Sequence, residues 1–136
     1  MARLPLLRAV APEIREKGSP MTQLGATPLV DVSGVELDDA GPLPEATGPE
    51  MLTRAATLWR DADTGAEAGV WSCDPGSSRW LLETHEFIYV AAGRMTVTRD
   101  GEESVEVGAG TSAFFEKGWS GTWEIHERLL KSYVIF

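Results

Sequence analysis

The chain has 136 residues, 43% of them apolar and 24% charged, which fits one globular domain with its own core. A formal net charge of −9 argues against nucleic acid and anionic membrane as partners, because phosphates and lipid headgroups carry the same sign. No apolar run reaches the length of a membrane-spanning helix, and the single cysteine, Cys73, excludes an intrachain disulfide.

The N-terminus, MARLPLLRAVAPEIREKG, has too short an apolar stretch, broken by Pro5 and Arg8, for a signal-peptide core. With one cysteine, this predicts a cytoplasmic protein. A short helix is expected at PEIREK, with Pro12 at its start and Gly18 at its end; a loose arm is the alternative. Residues 21–50 are rich in Pro, Gly and Asp and read as surface loop, with extended pieces near 28–32 and 35–37. Residues 1–50 lack the core formers to fold alone, so they are expected to form an arm packed on the barrel or on a partner copy.

From residue 51 the texture is that of strands. TRAATLWR (53–60) is the first, with helix as the alternative, and DADTG is a turn. GVWSC follows, then a second turn at DPGSS, then RWLLETHEFIYVAAG, rich in β-branched and aromatic residues and ended by Gly93. MTVT and SVEV alternate on either side of Asp100-Gly101, a strong hairpin signal. GTSAFFEKGWSGTWEI holds two short strands split at Lys117-Gly118, and LLKSYVIF closes the chain. Turn signals every eight to twelve residues predict an all-β sandwich or barrel over 51–136.

The spacing E-FIYVAA-G from Glu86 to Gly93, then Gly110-TSAFF-EKGWSG, resembles the two-motif signature of cupins. W-x-C-x-P-G, E-F-x-Y-V-x-x-G, G-W-S-G-T-W-E and K-x-Y-V-I resemble the subgroup with ureidoglycine aminohydrolase-type domains and the ethanolamine-utilization cupin. The resemblance implies a single jelly-roll barrel, a double-stranded β-helix, and a homodimer. It also implies a metal held by two histidines, a glutamate and a third histidine. Here the histidine pair falls on Trp80 and Leu82, or on Arg79 and Leu81, and Gly121 stands at the last ligand position. Only Glu86 remains, and one carboxylate cannot hold a transition metal. No cofactor is therefore expected, with a divalent metal at a non-standard site as the alternative.

Glu86 shares a face with Ile88 and Val90, the face the resemblance turns into the barrel. It is the candidate general acid/base or ligand anchor; a structural hydrogen-bonding role is the bland alternative. Lys131 shares a face with Tyr133 and Ile135. Either it enters the barrel and pairs with Glu86, or it is a solvated edge-strand lysine, the commoner case. Trp71, Trp80, Trp119 and Trp123 either line a pocket by stacking or fill the core and an interface. Trp119 and Trp123 are expected near the pocket mouth, with Gly121 enlarging the cavity. His85 should point away from Glu86, His126 should lie at the surface, and Cys73 should be buried and inert.

The candidate ligand contacts are thus Trp71, Trp80, Glu86, Ile88, Trp119, Trp123, Lys131 and Tyr133. Three functions are open. The chain could be a metal-free small-molecule binder. It could be an enzyme releasing ammonia from a ureido or amino compound, or an accessory cupin working by association.

Overall fold

A computed structural model describes residues 22–24 and 27–136. The helix expected at PEIREK lies outside them. The strands are β1 (Thr22–Leu24), β2 (Thr27–Leu29), β3 (Asp38–Pro42), β4 (Leu52–Arg60), β5 (Glu67–Cys73), β6 (Gly76–Leu81), β7 (Glu86–Arg99), β8 (Val105–Gly108), β9 (Ser112–Phe115) and β10 (Ser120–Ile135). All pairings are antiparallel, and the described residues contain no helix. None of their elements is therefore a helix long and apolar enough to cross a membrane. The fold is the all-β barrel that the strand spacing predicts, with the jelly-roll architecture that the resemblance implies.

Two long strands organise the barrel. β7 and β10 pair from Glu86↔Ile135 to Arg99↔Gly121, so each runs through both sheets. One sheet is β3-β4-β5-β10-β7-β9; the other is β6-β10-β7-β8. The strands bend where the register slips, between Ile125 and Lys131 of β10. Gly93 sits at this bend with φ +86, and a Cβ there would lie 2.0 Å from the Arg128 carbonyl oxygen. It therefore bends β7 rather than ending it, which corrects the reading of glycine as a terminator.

Other boundaries also differ from the sequence reading. β3 is built from Asp-Asp-Ala-Gly-Pro, which has almost no strand propensity; pairing with β4 across a bulge at Asp39/Gly41 creates it. Strand β6 begins inside the expected DPGSS turn, and the run from Arg79 to Gly93 divides at residues 82–85. No glycine or proline marks that division. Hydrogen bonds from Leu82 N to Trp119 O and from Gly118 N to Leu82 O fix it instead.

Period-two alternation fills the barrel. Glu86, Ile88 and Val90 of β7 point inward, while Phe87 and Tyr89 are exposed. Leu129, Lys131, Tyr133 and Ile135 do the same on β10. Trp71, Trp80 and Trp123 are fully buried, and each contributes about 4–6 kcal/mol of apolar burial as an upper estimate. Strand β5 is buried on both faces, because Val30, Val32, Val35 and Leu37 pack over Ala56, Val70 and Leu130 on the outer side.

Candidate functional site

Strand register brings the interior polar groups together. Val90 of β7 and Trp71 of β5 lie directly opposite Lys131, on either side of β10. All three side chains point inward. Lys131 Nζ donates to Glu86 Oε2 at 2.7 Å, and both side chains have no exposed surface. The ammonium also lies 4.5 Å from the ring centre of Trp71 and 4.8 Å from that of Trp123. Two indole faces and one carboxylate thus hold a cation in the barrel, a cation–π geometry strengthened by desolvation. The solvated-lysine alternative is corrected. Alternation showed which residues share the Lys131 face, and Trp71 and Val90 as neighbours decide that the face is internal.

Burial pushes the Glu86 carboxyl up, against the opposing pull of Lys131. Glu86 Oε1, Trp71 Nε1 and Trp123 Nε1 are buried with no hydrogen-bond partner among the described residues. Trp80 differs: its Nε1 donates to Ser78 Oγ at 2.8 Å, and its ring packs on Trp123 at 4.9 Å.

A second interior network, centred on Glu67, lies beyond what the sequence motifs single out. Glu67 of β5 is fully buried; its Oε1 accepts from Arg60 Nε at 3.0 Å and Arg60 Nη2 at 2.6 Å, and its Oε2 accepts from Tyr133 Oη at 2.5 Å. The signal was present: Glu67, Gly69 and Trp71 share a face by period two. Burial and the Glu67 carboxylate push the Tyr133 phenol upward, so it stays a neutral donor. Gly69 makes room for it, since a Cβ there would lie 2.6 Å from Tyr133 Oη.

The remaining expectations sort cleanly. Ile88 is buried opposite Tyr133. Trp123 lies wholly inside rather than at a mouth, and Trp119 is 6% exposed, edge-on to Phe115. Gly121 does not open a cavity: its missing Cβ would meet Thr98 O at 2.2 Å and the Trp119 ring at 2.7 Å. Close backbone approach explains this glycine. His85 diverges from Glu86, forms a three-ring cluster with Phe114 and Phe136, and accepts from Lys117 N through Nδ1. His126 is half-buried against Thr96 Oγ1. Cys73 is buried, and desolvation raises its thiol to about 12.

The residues present do not fit a metal. The one retained carboxylate is bound to an ammonium, no histidine stands in either register of the expected pair or at Gly121, and no group of three or more His, Cys, Asp or Glu among the described residues could hold an ion.

The outer face of the larger sheet is also unusual. Register aligns Trp59, Ala68, Val134, Phe87 and Phe114 in one row, and Ala56, Val70, Ser132, Tyr89 and Ser112 in the next. Neither row carries an acidic or basic side chain. Trp59, Phe87, Tyr89, Phe114 and Val134 are exposed.

Comparison with known proteins agrees with the barrel. A family model described as the EutQ-like cupin domain matches residues 60–133. Among solved structures, the Clostridium difficile EutQ protein is 16% identical at TM-score 0.71, over 88% of this chain and 97% of that one. A putative ethanolamine utilization protein Q from Salmonella typhimurium is 22% identical at TM-score 0.65, over 90% and 98%. A protein of unknown function from Pseudomonas syringae is 22% identical at TM-score 0.73 over 81% of this chain, which spans about half (47%) of that protein's length. These likenesses show the fold alone. No curated protein matches the sequence.

Proposed function

The chain belongs to the EutQ-like cupin domain family, and on that premise we propose that it binds a small molecule inside the barrel, at Glu86 and Lys131, without a transition metal. The observation that carries this reading is the Lys131 ammonium, held at 2.7 Å by the one carboxylate left of the cupin ligand set and flanked by two indoles whose N–H groups are unused. The ammonium supplies the positive centre that a metal would otherwise provide. Glu86, with a free oxygen and a raised pKa, is the anchor and the one candidate proton carrier. Metal-dependent ammonia release loses support, because its ligand set is missing.

A thermal-shift screen of ureides, amino acids and small carboxylates, run on the protein and on Glu86→Gln, tests this. A stabilising ligand lost in the variant is the expected result. A hit that Glu86→Gln leaves unchanged removes Glu86 as the anchor.

The outer face favours association as a second role, and we assign it to a second copy of the chain. At a net charge of −9 two copies repel one another overall, and an uncharged face lets them approach at the least electrostatic cost. Four aromatic side chains of about 150–250 Å² each, nearly half exposed, supply roughly half of the ~800 Å² per partner of a stable interface. Light scattering on Phe87→Glu checks it: a dimer that becomes a folded monomer is expected, and a wild-type monomer at micromolar concentration refutes it.

A further inference from the structure

A concavity of about 280 Å³ opens on the outer face of the larger sheet, away from the barrel interior. Register sets its floor in two rows. Asp39, Arg54 and Ser72 lie side by side on β3, β4 and β5. Leu52, Asp74 and Arg128 form the next row: Asp74 N donates to Leu52 O at 3.0 Å, and the Arg128 guanidinium pairs with Asp74 at 3.2 Å. Trp71 and Cys73 point into the core, so Ser72 between them faces the concavity. Two polar groups there are unpartnered. The Ser72 hydroxyl, on a residue only 6% exposed, and the Arg54 guanidinium make no hydrogen bond or ion pair among the described residues.

These groups narrow the guest. A nearly buried hydroxyl without a partner gains from a guest that supplies one. Beside it, the planar Arg54 fork matches a carboxylate. Charge narrows the guest further. Asp39, Arg54, Asp74 and Arg128 sum to zero, with the two signs interleaved along the rows. A simple anion meets two aspartates as well as two arginines, and a simple cation meets the reverse. A guest carrying both signs finds a complement for each. The volume lies just under the ~300–1,000 Å³ of ordinary ligand pockets, so the guest is small. Leu52, 47% exposed, adds an apolar patch.

We propose that this outer concavity binds a small aliphatic amino acid, its carboxylate on Arg54 and Ser72, its ammonium on Asp39 and its side chain over Leu52. The site is separate from the barrel interior and stands whatever the interior binds. Gly41 N donates to Asp39 Oδ1 at 3.0 Å, which fixes the carboxylate and leaves Oδ2 for the ammonium. Two strand spacings separate Asp39 from Ser72, about 10 Å between backbones, a gap that the amino acid head group spans with one hydrogen bond at each end. Asp74 is a positioning residue that holds Arg128 as the second cation of the rim.

L-valine, isovalerate and isobutylammonium share an isopropyl group and carry both charges, the carboxylate alone and the ammonium alone. Each is titrated into the full chain at pH 7 and constant ionic strength, with backbone amide shifts read residue by residue by NMR. L-valine should give saturable shifts centred on Asp39, Arg54 and Ser72, with the two ions weaker by about fivefold or more. Arg54→Gln, at an exposed and unpaired position, should stay folded and weaken L-valine by about tenfold or more. Asp39→Asn, which keeps the oxygen that Gly41 N uses, should bring L-valine and isovalerate to within about twofold of each other. Should Asp39→Asn fail to fold, the Arg54→Gln comparison decides alone. Equal or tighter binding of either ion overturns the amino-acid assignment. So do shifts that never saturate, shifts centred elsewhere, and L-valine binding that Arg54→Gln leaves unchanged.

Discussion

Replacing Lys131 with methionine keeps the unbranched stem up to the ε position and removes the ammonium. Glu86 is then buried opposite Ile135 and Phe115 with no cation beside it. An ionised, unpaired carboxylate in that place costs several kcal/mol, so Glu86 escapes by taking a proton. The cost of protonation sets the ceiling. Each pH unit above the unfolded pKa of about 4.3 contributes about 1.4 kcal/mol, giving about 3–4 kcal/mol at pH 7 and about 1 kcal/mol at pH 5. The sign follows from proton counting. Burial already raises the Glu86 pKa beside Lys131, and removing the ammonium raises it further. The folded variant then holds a proton that the unfolded chain releases, so its stability falls as pH rises. Urea unfolding followed by tryptophan fluorescence at pH 5, 6 and 7 measures this. A loss below about 1 kcal/mol at pH 7, or one that does not change with pH, refutes the buried-pair reasoning. The Glu86→Gln/Lys131→Met double variant should recover most of the loss, because a neutral pair leaves no buried charge.

Gly93→Ala should cost at least about 2 kcal/mol, since φ +86 strains any L side chain and the new Cβ would collide with the Arg128 carbonyl; unfolding midpoints check it. The Asp100 carboxyl, bound by Arg79 at 2.6 Å and by Ser120, should titrate near 2 by NMR and return toward the usual carboxylate range in Arg79→Ala. Cys73 should resist a thiol-reactive dye at pH 8 in the native protein and react fully once the chain is unfolded, because burial holds its thiol near 12.

Much of the barrel is legible in the residue pattern, and the exceptions have physical causes. The alternation of Met95–Val97 against Val105–Val107 is carried by local side-chain chemistry, and these residues pair in the expected hairpin. β3 is illegible because its partner β4, not its own residues, makes it a strand. Gly93 reads as a stop because glycine usually ends strands, whereas here close approach to β10 requires it inside one. The candidate site is half legible. Spacing singles out Glu86, but a buried lysine is rare enough that sequence favours solvent for Lys131, and only register with Trp71 and Val90 reverses this. Glu67 is obscured because its partners Arg60 and Tyr133 lie 7 and 66 residues away.

The central claim is that an ammonium has taken the place of a metal in this barrel. Elemental analysis by inductively coupled plasma mass spectrometry on protein purified without added metal or chelator tests it most directly. Far less than one transition-metal ion per chain is expected, with a thermal midpoint unmoved by a chelator. A stoichiometric metal whose removal lowers that midpoint would contradict the claim.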